Sequence, residues 1–217
     1  MQRYELGEQK GVASLRRVQA ADPVPAAGEA LVRIRANSLN YRDVMMVSGL
    51  FGPKPPTRVP MSDGAGEVVA VGTGVSKVKI GDRVVIPFNV RWIDGPWGAR
   101  QLAGDLGGSL DGTLAELGAF PEDALVPIPA DWSFEEAASL PCAGVTAWNA
   151  IVVAGQTKLG DVVLLQGTGG VSVFGMQIAK MIGATAAITS SSDAKLARAK
   201  SLGADICLNY KTTPEWP

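Results

Sequence analysis

Residues 162–183 read VVLLQGTGGVSVFGMQIAKMIG, and the fold turns on how this stretch is parsed. A short β-branched apolar run meets a glycine cluster at Gly167, Gly169 and Gly170. Beyond it the apolar residues fall at helical spacing, which predicts Phe174, Ile178, Met181 and Ile182 on one face. The parse is strand, tight turn, helix. Glycines let a turn's backbone approach a ligand closely, and the first amides of a helix carry unsatisfied N–H groups at its positive dipole end. A pyrophosphate suits both, so the natural ligand of Gly167, Thr168, Gly169, Gly170, Val171 and Ser172 is a dinucleotide. Set on G-x-G-x-x-G, the first two glycines are Gly167 and Gly169 and the third position is Ser172; Gly175 comes later. Serine is small enough to let helix and strand pack closely. A glycine-rich turn by itself fits any parallel α/β sheet, so the rest of the chain has to decide.

Composition supports a globular reading. The chain has 217 residues, 47% hydrophobic and 19% charged, enough to bury a real core in one large domain or two small ones. A net charge of -1 and a pI of about 5.6 give no field for a phosphodiester backbone, which argues against nucleic acid as a partner. MQRYELGEQK at the start lacks an apolar signal region and no apolar run has the length of a membrane span, so a cytoplasmic protein without membrane contact is expected. Two cysteines, Cys142 and Cys207, are too few for a disulfide framework, and both are expected reduced and buried. There is no histidine. Ser-His-Asp hydrolysis, Cys-His acyl transfer and His-ligated zinc catalysis are thereby excluded.

The first part of the chain reads as strand and loop. Short alternating or apolar runs at 30–36, 67–71 and 83–88 are separated by turn signals such as Pro23-Val24-Pro25, Gly72-Thr73-Gly74 and Gly81-Asp82, which predicts a compact, barrel-like domain over residues 1–128. Residues 91–112 turn to Gly, Trp and Asp without periodicity, as in a long surface loop, a lid or a disordered excursion. Pro127 and Pro129 mark the change of architecture. Ser133-Phe134-Glu135-Glu136 has capping-box form and starts a helix; a second is predicted over 146–153. After the glycine turn come a strand at 185–189, a helix over 193–202 closed by Gly203, and a strand at 205–209. This β-α-β-α-β order is the first half of a doubly wound α/β sheet, placing a dinucleotide-binding domain at 129–217. Only KTTPEWP (211–217) and Tyr210 follow, so the sequence reads as truncated before the second half.

Segment order and several longer motifs resemble the medium-chain dehydrogenase/reductase family, in its zinc-free, quinone-oxidoreductase-like and alcohol-dehydrogenase-like branch. The motifs are ASLRR, GEALVRIRANSLNYRDVMMVSG, VPMSDGAGEVVAVGTGV, KIGDRVV, FEEAASLPCAGVTAWNAI, LLQGTGGVS and GADICLNY, which run the length of the chain. The resemblance implies a GroES-like catalytic domain followed by a partial Rossmann domain. It also implies nicotinamide-dependent reduction of a carbonyl, quinone or enone in a cleft between them, and a homodimer formed in the full-length protein through cofactor-domain strands beyond this sequence.

Zinc is tested by position. Zinc-dependent members of the family place a cysteine where Asn40 stands, a histidine at Ser62 and a cysteine at Cys142, so one ligand of three remains, and the cysteine cluster of the structural zinc lobe is missing from 91–112. No metal is expected. An oxyanion or enolate must then be stabilised by hydrogen-bond donors or by the cofactor. The resemblance places Asn40-Tyr41-Arg42-Asp43 near the nicotinamide: Asn40 can donate an amide proton to a substrate oxygen, and Tyr41 can act as a weak acid. Asp43 completes the candidate set, with a helix cap paired to Arg42 as its structural alternative. Thr146 corresponds to a threonine beside the nicotinamide or its carboxamide, or else starts a helix. Trp92 and Trp97 line an apolar pocket or anchor their loop.

Cofactor choice is read at the end of the second strand, where NAD enzymes carry an acid about 20 residues beyond the first glycine. Here stand Thr189, Ser190, Ser191 and Ser192, and the first acid is Asp193 at the next helix start. Small hydroxyls leave room for a 2′-phosphate, and Lys195 adds a charge-assisted contact, so NADP(H) is expected. Family members preferring NADP(H) use a lysine and a tyrosine that correspond to Lys195 and Tyr210. The alternative to a reductase is an inactive cofactor-binding fragment or a non-catalytic relative.

Overall fold

In the computed structural model, which describes residues 1–95 and 98–216, the alternation at 30–36 becomes a long strand. The first elements are β1 (Gln2–Glu5), β2 (Arg16–Gln19), β3 (Glu29–Ser38), α1 (Tyr41–Val47), β4 (Asp63–Val71) and β5 (Arg83–Ile86). α2 (Ala99–Leu102), β6 (Leu117–Pro121), β7 (Val126–Pro127) and α3 (Phe134–Ala138) follow. Along β3, Ala30, Val32 and Ala36 are buried while Arg33 and Arg35 face solvent, as period-two alternation requires. The expected barrel-like domain is a five-stranded antiparallel sheet, β6-β3-β4-β5-β7, beside a β1-β2 hairpin sheet. Register shifts between Leu31 and Val32 and between Ile34 and Ala36 bend β3 against β4. Val32, Val68, Val84, Ile86, Leu106 and Phe120 form the main core of this part.

Ser133 caps α3 as its sequence predicts: its Oγ accepts from Glu136 N at 3.1 Å, and Glu136 Oε2 accepts from Ser133 N at 2.8 Å. α3 buries Ala137 and Ala138 against Ala36 and Ala65 of the sheet and Ile128 just beyond β7. That packing is why the first compact unit runs Met1–Cys142 and the second Ala143–Pro217, a later division than residue 128, where the composition changes. The described residues within 91–112 are more structured than their composition suggests. Asn89 bridges Asp105, Val90 and Leu106 are buried, and Trp92 Nε1 donates to Gly95 O at 2.9 Å. Trp97 lies outside the described residues.

The second unit carries α4 (Val145–Trp148), continued by a wider helical turn, Asn149–Ala154, so the helix predicted over 146–153 is present but irregular. Then come β8 (Val162–Leu165), α5 (Gly170–Ile182), β9 (Thr185–Ser190), α6 (Asp193–Ser201) and β10 (Ile206–Asn209). The three strands are parallel in the order β10-β9-β8, the partial doubly wound sheet that the sequence implies. Leu165, Met176, Ala179, Ala186, Ile188 and Leu196 form its core, each large apolar side chain contributing roughly 1.5–3 kcal/mol when fully buried. The predicted face of α5 needs correction. Gly175, Met176 and Ala179 are its buried residues, Ile178 and Ile182 pack beside them, and Met181 is 67% exposed. Large apolar side chains dominated the periodicity, whereas the surface against the sheet is built on small ones.

Candidate functional site

The turn after β8 has the geometry of an anion cradle. Gly167 has φ +83°, a left-handed conformation that favours glycine, and its N–H donates to Thr189 Oγ1 at 3.2 Å. Gly169 precedes α5 in extended conformation, and among the described residues no side chain caps the helix and no acid stands in its first turn. The first helical bond runs from Val173 N to Gly169 O at 3.0 Å. The amides of Gly170, Val171 and Ser172 lie ahead of it, as donors at the positive end of a helix of 13 residues. No described atom lies within 4 Å of where a Cβ on Gly167 or Gly169 would project, so the cradle has open space around it. A diphosphate fits this donor set.

Ser172 does not do what its position in the fingerprint suggests. Its Oγ donates to Gln166 O at 3.0 Å, pinning the turn. The close packing falls at Gly175, where a Cβ would stand 2.8 Å from Leu165 Cδ2 and 3.1 Å from Ile151 Cδ1. The glycine that looked three residues late is the packing glycine. Thr189 was missed as a site residue because it is an inward residue of β9, 3% exposed, whose partner is distant in sequence.

At the end of β9 the hydroxyls are not equivalent. Ser190 is buried, with its Oγ 3.4 Å from Thr168 Oγ1 and accepting from Ser192 N at 3.3 Å. It shapes the turn, which leaves Ser191 as the exposed hydroxyl of the pair. Ser192 caps α6, its Oγ accepting from Lys195 N at 3.4 Å, and the Lys195 side chain is exposed. Asp193 accepts from Asn209 Nδ2 at 2.7 Å. Tyr210 N donates to Ser190 O at 3.1 Å, so Tyr210 stands beside the end of β9. Ser190, Ser191, Lys195 and Tyr210 are therefore gathered at one end of the parallel sheet. Thr146 lies in the first turn of α4 and is exposed.

In the first unit, Asn40 is the N-cap of α1, and its backbone N–H donates to Asp43 Oδ2 at 2.7 Å. Asp43 is 5% exposed and takes up the capping bond that was the structural alternative to a site role; burial pushes its carboxyl above the ordinary range. Arg42 does not pair with it. The guanidinium bonds Asp105 Oδ2 at 3.1 Å and Leu106 O at 3.0 Å and stacks over Phe88, because it points toward the 105–106 segment. Tyr41 is 76% exposed.

Next to this helix lies an acid that the sequence reading passed over. Asp63 is fully buried, its Oδ1 accepts from Ser62 Oγ at 2.8 Å and its Oδ2 from Cys142 N at 3.0 Å. Burial raises its carboxyl above the ordinary range, against the hydrogen bonds from Ser62 and Cys142. Cys142 is half-buried, and burial followed by the charge of Asp63 pushes its thiol up to about 11. Cys207 is also free and half-buried rather than buried, 3.7 Å from Leu196 O.

A zinc ion asks for thiolate, imidazole or carboxylate donors converging on one point. Asn40 and Ser62 offer an amide and a hydroxyl, Cys142 remains a neutral thiol, and the acids are engaged as acceptors of N–H and O–H bonds. Among the described residues no group of three His, Cys, Asp or Glu side chains could hold a metal ion. This donor set does not fit zinc.

Comparison with known proteins agrees with the architecture. Residues 26–130 match the alcohol dehydrogenase GroES-like domain, and residues 170–217 match the zinc-binding dehydrogenase domain. A zinc-type alcohol dehydrogenase-like protein of Schizosaccharomyces pombe is 46% identical over 192 residues, covering 87% of this chain and 56% of that protein. A solved structure from Sinorhizobium meliloti 1021, ascribed to an alcohol dehydrogenase, is 40% identical with a TM-score of 0.87, over 99% of this chain and 67% of the other. The Escherichia coli quinone oxidoreductase, solved in complex with NADPH, is 27% identical with a TM-score of 0.82, over 97% of this chain and 59% of that one. The chain thus spans little more than half the length of the curated relatives it matches. Among the described residues no helix is long and apolar enough to cross a membrane.

Proposed function

The chain belongs to the medium-chain dehydrogenase/reductase family, and on that premise we propose that it serves a zinc-free oxidoreductase that transfers a hydride between NADP(H) and a carbonyl, quinone or enone. The observation that carries the proposal is the uncapped start of α5 behind Gly167, where three backbone amides and open space await a diphosphate.

Each residue has a part in this reading. Gly170, Val171 and Ser172 donate backbone N–H groups to the diphosphate, and Thr189 fixes the Gly167 peptide so that the turn keeps its shape without a ligand. Ser191 and Lys195 take the 2′-phosphate as a hydrogen-bond donor and a cation, with Tyr210 and the buried Ser190 setting the local backbone. Asp193, the first acid after β9, is already bonded to Asn209, which favours the phosphorylated ribose over a plain diol. Thr146 contacts the nicotinamide or its carboxamide. When bound, the cofactor supplies the hydride from C4 of its nicotinamide. Asn40 donates an amide N–H to the substrate oxygen as negative charge develops there, and Tyr41, exposed to water, returns a proton to it. Asp43 acts by holding the Asn40 backbone. With no donor set for zinc, the burden of stabilising the oxygen falls on such hydrogen bonds.

Titration of the chain with NADPH and NADH, followed by nucleotide fluorescence, tests the cofactor assignment: NADPH binds tighter, and tighter NADH binding reverses it. NADPH oxidation with a simple quinone, measured on this chain beside a C-terminally extended version, tests catalysis. Turnover only in the extended version assigns this polypeptide as a cofactor-binding fragment; turnover in neither ends the reductase reading.

A further inference from the structure

Asn209 ends β10 with both polar atoms of its side chain engaged. Its Oδ1 accepts from Lys211 N at 3.0 Å, which turns Nδ2 the opposite way, and Nδ2 donates to Asp193 Oδ1 at 2.7 Å. The main chain is held as well. Asn209 pairs with Ser190 in the parallel ladder, and its carbonyl accepts from Thr213 N at 2.9 Å and from Thr212 Oγ1 at 3.2 Å. Asp193 is the freer partner. It is exposed at the first position of α6, and among the described residues its carboxylate is in no ion pair and has Asn209 as its hydrogen-bond donor. The direction of that carboxylate is therefore set from β10. Strand order β10-β9-β8 places the Gly167 turn, which follows β8, on one side of β9 and Asn209 on the other, so the bond draws the acid away from the cradle.

A carboxylate in this stretch suits one ribose and opposes the other. It accepts the hydroxyls of a plain diol, and it repels the charge of a 2′-phosphate. Asp193 lies between Ser191 and Lys195 in the chain, so the acid that an unphosphorylated ribose needs is already present beside the contacts read as taking the phosphate. We propose that Asn209 is a positioning residue that sets cofactor preference: it holds the Asp193 carboxylate toward β10, leaving Ser191 and Lys195 to a 2′-phosphate, and its removal releases Asp193 to an unphosphorylated ribose. The inference rests on the reading of Ser191 and Lys195 as the phosphate contacts. It gives the chain a latent capacity for NADH. Preference is a difference of two affinities, and a freed carboxylate moves both, raising the one for NADH and lowering the one for NADPH.

Fluorescence titration of this chain with NADPH and NADH, across a double-mutant cycle of Asn209 and Asp193, tests the coupling. Asn209→Ser keeps an oxygen for Lys211 N, as serine does in turns of this kind, but removes the amide that reaches Asp193. This variant lowers the ratio of NADPH to NADH affinity about tenfold, the effect of one hydrogen bond to a charged group. Asp193→Ala keeps the NADPH preference, and adding Asn209→Ser to it changes the ratio by less than about twofold. An unmoved ratio in Asn209→Ser overturns the inference and leaves the cofactor reading standing. An equal fall with and without Asp193 also overturns it, since the effect then comes from the turn at 210–213 and not from the acid. Asn209→Ala makes the same comparison where the serine variant does not fold. Wild-type protein that binds NADH tighter, or binds neither nucleotide, overturns the cofactor reading and this inference with it.

Discussion

Replacing Thr189 with valine takes one acceptor away from the glycine turn and leaves everything else in place. Thr189 is 3% exposed, and its Oγ1 accepts the Gly167 N–H at 3.2 Å. Valine keeps the branched shape, so no cavity opens. The Gly167 amide loses its partner in a partly buried position, which costs about 1–3 kcal/mol, while the extra buried methyl returns about 0.8 kcal/mol. The net destabilisation is about 0.5–2 kcal/mol. Because Gly167 sits at φ +83° and the bond holds it there, part of that loss should reappear as weaker nucleotide binding, up to about tenfold for each 1.4 kcal/mol. Urea unfolding reads the first quantity and NADPH fluorescence titration the second. Thr189→Ser keeps the hydroxyl and is expected to lie near wild type in affinity. A Thr189→Val protein that is as stable and binds NADPH as tightly as wild type refutes the reasoning, as does a serine variant that loses as much affinity as the valine one.

Gly175→Val drives a branched side chain toward Leu165 Cδ2, 2.8 Å from the Cβ position, and is expected to destabilise by about 1–3 kcal/mol in urea melts. Ser172→Ala loses one bond to Gln166 O and costs about 0.5–1.5 kcal/mol; the reverse ranking would return the packing role to Ser172. Burial raises Asp43 above its ordinary value of 3.8, so the folded state holds that proton more tightly than the unfolded one. Its contribution is full below the ordinary value and is lost as pH rises through the raised one, and Asp43→Asn therefore gains stability relative to wild type across that window. A variant-to-wild-type difference in urea midpoint that stays flat from about pH 3.5 to pH 7 contradicts this. With its thiol pushed from 9.0 up to about 11, Cys142 should alkylate with iodoacetamide on the order of 100-fold more slowly than in the unfolded chain at the same pH, and equal rates rule out the burial effect.

The architecture was legible because it rests on local patterns. Period-two alternation in β3, the Ser133 capping box and the strand-glycine-helix order at 162–183 each concern residues close together in the chain, and each has its predicted counterpart in the structure. The first two positions of the glycine fingerprint were legible for the same reason. What the sequence left hidden involves partners far apart in it. Thr189 finds Gly167, Asp63 finds Cys142, and Arg42 finds Asp105. The third fingerprint position failed for a different cause: a spacing rule counts residues, whereas close packing depends on which turn of the helix crosses the strand. Here the crossing falls one turn later, at Gly175. The same distinction bears on the proposed donor Asn40. Its residue type stands out in sequence, but a donor's usefulness lies in its direction, and the structure shows its backbone held by Asp43 along one helix turn. On the proposed reading, an amide at Asn40 and a hydroxyl at Ser62 beside buried acids suit a site that orients hydrogen bonds where a metal would polarise an oxygen.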